Sequence, residues 1–167
     1  AGQTDLALSL RTATVDEAAP SRLRVLALEA LTPVVSPARG LSSISLADLA
    51  RVMAGEITDW ADLGGEAGPI EVIAADADPS FSAALDQAVL SPLDLARTDD
   101  VALYHSYADV AAAVSSNDAA IAVLPIGALG NTKALTLAET CGLRSRPQLS
   151  SIKAEDYPLT FPLYYYL

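Results

Sequence analysis

The sequence predicts an α/β fold, and three observations predict it. Residues 22–35 (RLRVLALEALTPVV) make a long apolar, β-prone run; Leu46, Leu49, Ala50 and Met53 repeat at helical spacing; and residues 119–123 form another apolar run, ended by Pro125. Strand and helix patterns alternate around them, which favours helices layered on a sheet. A chain of 167 residues that is 51% hydrophobic can hold one sizeable core, or two small lobes sharing a hinge.

Taken in order, residues 4–10 alternate weakly between polar and apolar and read as a strand, after which Asp16, Glu17 and Pro20 favour a short helix and its stop. The long run over 22–35 is the next strand. Pro33 and Pro37 interrupt it, and a residue without an amide hydrogen suits an edge or crossover better than a central ladder. Residues 44–65 (ISLADLARVMAGEITDWADLGG) organise the chain: a helix starts at the Ser45–Asp48 capping pair and stops at Gly55, and a tight turn then winds around Trp60 to Gly64 and Gly65. Thr58 and Asp59 stand where they can bond nearby backbone.

Residues 69–74 (PIEVIA) read as a short buried strand. Asp78-Pro79 opens a helix running to about Leu90 with Phe81, Leu85 and Val89 on one face, and Ser91-Pro92 starts a short helix. Residues 106–114 are a helix with a second Ser-x-x-Asp start, and residues 119–123 and 132–137 are strands. A loop through Cys141, Arg144 and Arg146, a polar turn over 150–156 and a last strand complete the chain.

Charge excludes whole classes of partner. With 10 Lys and Arg against 21 Asp and Glu, the net charge is -11, which opposes a nucleic-acid backbone or an anionic membrane surface as partner, and no direct membrane insertion is expected. No apolar run approaches the roughly 18 residues of a spanning helix, and no export signal is recognised in this chain. One cysteine, Cys141, and one histidine make a metal cage improbable, and no cofactor motif is present. Cys141 is either a buried inert thiol or the partner of a cysteine outside this chain.

Three stretches carry a resemblance. The order serine, leucine, acidic helix, Gly-Glu-Ile-Thr-Asp-Trp and Leu-Gly-Gly within 44–65 resembles the phosphate-binding proteins of ABC phosphate uptake, which have the type II periplasmic binding-protein fold. Residues 5–17 (DLALSLRTATVDE) look like that family's strand bearing an aspartate, a serine and an arginine, and residues 157–166 (YPLTFPLYYY) look like its closing strand. The resemblance implies two lobes with mixed β-sheets flanked by helices: residues 1–40 and 130–167 in a first, incomplete lobe, and residues 41–129 in a second. It also implies a glycine- and serine-rich turn upstream of Asp5, so the chain reads as part of a longer protein.

In that family phosphate is held between the lobes by helix N-terminal amides, hydroxyls, one arginine and one aspartate that accepts the ligand's proton. The chemistry is reasonable, because free amides and the helix dipole favour an anion while a carboxylate selects a protonated one. Carried across, Asp5 matches the proton-accepting aspartate, and Ser9 and Arg11 match the residues after it. For the second lobe the family has an arginine, an acidic residue or glycine, then Ser-Gly-Thr; this chain has Ala74, Ala75, Asp76, Ala77, Asp78, Pro79, Ser80 and Phe81. Asp76 and Ser80 are the candidates left there. No arginine lies between Arg51 and Arg97, and Asp78 with Pro79 would occupy or remove the amide donors, so this half of the site reads as degenerate.

Weaker constellations have plainer explanations. His105 reads as a surface or helix-start residue, Asp76 with Asp78 as a capping cluster rather than an acid–base pair, and Tyr164 to Tyr166 as core plus surface of a terminal strand. No nucleophile, base and oxyanion set can be assembled, which argues against an enzyme. The expected function is a phosphate or small-anion solute-binding module, periplasmic or in the cell envelope, with an ABC permease or other envelope-protein domains as partners. The alternative is a degenerate binding-protein fold that serves as an interaction module within a larger OmpA-like envelope protein.

Overall fold

One strand, β2 (Leu23–Val35), runs through the middle of the protein and changes partners along its length. The computed structural model describes residues 7–10, 23–76, 78–138 and 144–166. From Leu23 to Ala30, β2 pairs antiparallel with β10 (Thr160–Tyr166), which pairs in turn with β1 (Ala7–Ser9). From Leu31 to Val35 it pairs antiparallel with β6 (Ala120–Pro125). Beyond β6 the sheet becomes parallel, through β4 (Glu71–Ala75) to β5 (Ala102–Tyr104). The short β7 (Lys133–Ala134) pairs with the end of β2, and β8 (Thr136–Ala138) lies between β3 (Ser43–Ser45) and β9 (Arg144–Ser145) in a separate three-stranded sheet. The architecture is therefore a mixed α/β one, as expected.

Helices cover both faces of the large sheet. Alternate residues of a strand point to opposite faces, and the core divides accordingly. Leu31, Val35 and Ile121 join the cluster under α1 (Leu46–Met53) and α2 (Pro79–Leu85), whereas Val34, Ile73, Ala120, Ala122 and Leu124 join the one under α3 (Tyr107–Ser116). α1 buries Leu49, Ala50, Val52 and Met53, and each large side chain among these contributes about 1.5–3 kcal/mol. Ser45 caps it by accepting from the Asp48 amide at 2.9 Å, and Gly55 ends it with φ of 76°. The chain then turns around Trp60, which is fully buried beneath the Arg39 guanidinium, 4.8 Å from the ring centroid. Asp59 ties that turn by accepting from Ala61 and Gly68 amides, bonds that hold its carboxyl below the usual range.

Three local expectations need correction, whereas Pro33 stands at the expected crossover rather than on an edge: β2 leaves β10 at Ala30 and pairs with β6 from Leu31, with Pro33 opposite Val123. The Pro33 carbonyl accepts the Leu135 amide, so its nitrogen faces the side where β10 pairing has ended at Ala30 and β7 pairing begins at Val34. No ladder bond is lost there. The single strand over 132–137 is two, because β7 and β8 serve different sheets. Part of the loop after Cys141 is β9, and the turn over 150–156 contains α4 (Leu149–Lys153), with Ile152 buried. The short helix near Asp16 and the thiol of Cys141 lie outside the described residues. No described helix is long and apolar enough to cross a membrane.

Candidate functional site

The first turn of α2 decides what the site can do. Pro79 stands at the first helical position and has no amide hydrogen, which its fixed φ makes favourable there. Asp78 caps the helix: its Oδ1 accepts from the Ser80 amide at 2.9 Å, the Phe81 amide at 3.2 Å and the Ser80 hydroxyl at 2.7 Å. The next amide, of Ser82, bonds the Asp78 carbonyl at 3.2 Å. Every donor of that turn is thus assigned, and a carboxylate sits where a helix start would otherwise draw an anion.

Around this turn lies a pocket of about 260 Å³. Leu10, just beyond β1, and Leu163 of β10 bound it on one side, and Asp78, Ser80 and Phe81 on another; Glu29 of β2, Tyr107 of α3 and Pro125 of β6 complete the wall. Glu29 is the one acid of β2, and its Oε1 accepts the Ile126 amide at 3.2 Å and the Ala30 amide at 3.0 Å. Tyr107 packs its ring against Phe81, centroids 5.1 Å apart, and its hydroxyl is buried with no hydrogen-bond partner among the described residues. Burial first, and then the Asp78 and Glu29 charges, push the Tyr107 pKa well above the ordinary tyrosine value. The described wall therefore holds two carboxylates, two hydroxyls and no cation. It can accept hydrogen bonds from a protonated ligand and donate from Tyr107.

The sequence candidates distribute unevenly over this geometry. Ser80 lines the pocket, and the backbone of Ser9, paired with Tyr164, carries the chain to Leu10 at its wall. Asp5 and Arg11 lie outside the described residues. Asp76 is not in the pocket: it is exposed just beyond β4, its Oδ2 3.7 Å from Nδ1 of the still more exposed His105. Asp78, read from sequence as a cap, is one in fact. Glu29 and Tyr107 were not singled out; the only signal was a lone acid within the apolar run LALEALTPVV, and for Tyr107 its place just after a capping serine. No group of three metal-ligating side chains occurs among the described residues.

Comparison with known proteins shows the family and the fold. The PBP superfamily domain family matches residues 1–167. No curated protein matches the chain. Among solved structures, an ABC-type phosphate transport receptor from Vibrio cholerae superposes with a TM-score of 0.81 at 22% identity over 97% of this chain. PstS from Borrelia burgdorferi does so with a TM-score of 0.74 at 21% identity over 96%. A high-affinity periplasmic phosphate-binding protein bound with phosphate gives a TM-score of 0.68 at 13% identity over the whole chain. The chain spans 66% of the length of each of the first two, and 67% of the third. At these identities the likeness is one of fold.

Proposed function

Because the chain belongs to the PBP superfamily domain family, we propose that it works as a non-catalytic solute-binding module that takes phosphate or a similar small anion in the pocket at the start of α2. One convergence carries this reading: the residue after β1 and the first turn of α2, the two stretches marked by sequence, line the same pocket. Ser80, re-aimed from Asp78, and Tyr107 donate to the ligand. Glu29 accepts from a protonated ligand oxygen. As the resemblance implies, Asp5, Ser9 and Arg11 are further ligand-binding residues, with Arg11 as the source of the positive charge that the described wall lacks. Residues 1–40 with 130–167 and residues 41–129 act as the two lobes, which close by a hinge. The module works in the periplasm or cell envelope beside an ABC permease or other envelope-protein domains. Phosphate, named for the structural relatives, supports the choice of ligand.

The capping carboxylate favours a second reading. With every first-turn donor of α2 assigned, the fold can persist after the anion has been lost, as an interaction module within a larger OmpA-like envelope protein. Calorimetric titration of phosphate into the intact natural protein, with sulfate as control, separates the two. Phosphate-selective binding that Arg11→Ala weakens supports the receptor. Absence of heat and of thermal stabilisation at millimolar phosphate removes it and leaves the interaction module.

A further inference from the structure

A second pocket, of about 460 Å³, opens on the three-stranded sheet, and its polar wall is Lys133, Arg144, Arg146, Ser42, Thr136 and Gln148. The strand register brings the arginines together. Leu137 of β8 is fully buried, so Thr136 and Ala138 point to the opposite face. Arg144 of β9 is paired with Ala138 and shares that face, and Arg146 follows two residues on. Both arginines are exposed. From β7, Lys133 joins them with its ammonium anchored on the Arg39 carbonyl at 2.8 Å.

This concentration runs against the composition. The chain has 10 basic residues to 21 acidic ones, yet three basic side chains line this pocket and no described carboxylate does. Elsewhere, Arg51 faces Asp48 and Glu56, Arg97 pairs with Asp86, and Arg39, with Trp60 packed beneath its guanidinium, bonds the Asp118 carbonyl. Lys133, Arg144 and Arg146 form no ion pair with any described residue. Like charges gathered in one recess repel one another, and a bound anion converts that repulsion into attraction. Arginine forks match carboxylate or phosphate oxygens in pairs, and the Ser42 and Thr136 hydroxyls add neutral donors.

We infer that this pocket is a binding site for a small polyanion, a ligand carrying two or more carboxylate or phosphate groups. It is separate from the pocket at α2 and does not depend on the function proposed for it. The test is calorimetric titration of citrate and of pyrophosphate into the intact natural protein at low salt, repeated on R144Q/R146Q. Binding of either anion that the double substitution weakens at least about tenfold supports the site. Which anion binds more tightly tells carboxylate from phosphate chemistry. No heat from either anion at millimolar concentration, or affinity unchanged in R144Q/R146Q, overturns it. Both arginines are exposed, so a thermal midpoint matching the parent's certifies that the variant is folded.

Discussion

Asp78→Ser removes a charge from the α2 pocket while keeping a helix cap, which makes its consequence calculable. Serine ranks with aspartate as an N-cap, so exchanging them changes helix stability by no more than a few tenths of a kcal/mol. The three bonds that Asp78 Oδ1 now accepts, from Ser80 and Phe81, show where a bound anion would have to compete. A phosphate touching Ser80 stands roughly 5 Å from that carboxylate. At an effective dielectric of about 20, one pair of like charges at that separation costs about 3 kcal/mol. Solvent at the pocket mouth and added salt reduce this. Half of it, about 1.5 kcal/mol, is still a tenfold gain in affinity. In calorimetric titrations, Asp78→Ser should therefore bind phosphate at least about tenfold more tightly than the parent, with an unshifted urea midpoint. Affinity equal within twofold, in a variant shown to be folded, would refute the placement of the anion in this pocket.

Three further outcomes follow from the geometry. Glu29→Gln keeps an acceptor for the Ile126 amide and should leave the urea midpoint nearly unchanged, whereas Glu29→Leu strands that amide and should cost about 1–3 kcal/mol. Gly55→Ala forces a side chain onto φ of 76° with its Cβ 3.1 Å from Thr98 Oγ1; equilibrium unfolding should show a loss of about 1–2 kcal/mol. Burial holds the Tyr157 hydroxyl, which donates to the Leu31 carbonyl at 3.1 Å, above the ordinary tyrosine pKa. Above pH about 10 the unfolded chain releases that proton and the folded chain keeps it, so this group's contribution to stability falls as pH rises from there. Tyr157→Phe should flatten that alkaline decline in a series of unfolding curves, while lowering stability near neutrality by about 1 kcal/mol for the lost bond.

Local signals located most elements because each has a local cause. The Ser45–Asp48 cap, the stop at Gly55 and the Asp78-Pro79 start all depend on neighbours within a few residues, and all stand where the sequence put them. What was not legible depends on partners far along the chain. Pro33 marks a crossover, but which strands cross there is not local: β10 ends and β7 begins beside it, some 100 residues on, roughly, by sequence. β5 and β9, of three and two residues, are too short for an apolar period to register and exist through pairing with β4 and β8. The same holds for the pocket. Glu29, Asp78 and Tyr107 meet only after β2, α2 and α3 have packed, and nothing in their spacing announces it.

The two pockets differ in sign, and salt reads that difference without any mutation. Glu29 and Asp78 stand in the α2 pocket with no described cation, within a chain of net charge -11, so an anion entering there works against both the local and the overall field. Screening weakens that opposition: raising salt from roughly 20 to 200 mM shortens the Debye length from about 20 to 7 Å. Phosphate affinity at this pocket should therefore hold steady or rise over that range when an inert salt is used. At the three-stranded sheet Lys133, Arg144 and Arg146 attract the ligand, and the same titration should weaken polyanion binding severalfold. A phosphate isotherm that instead weakens steeply with salt would assign its heat to the basic pocket, and R144Q/R146Q would then abolish it while Asp78→Ser left it untouched.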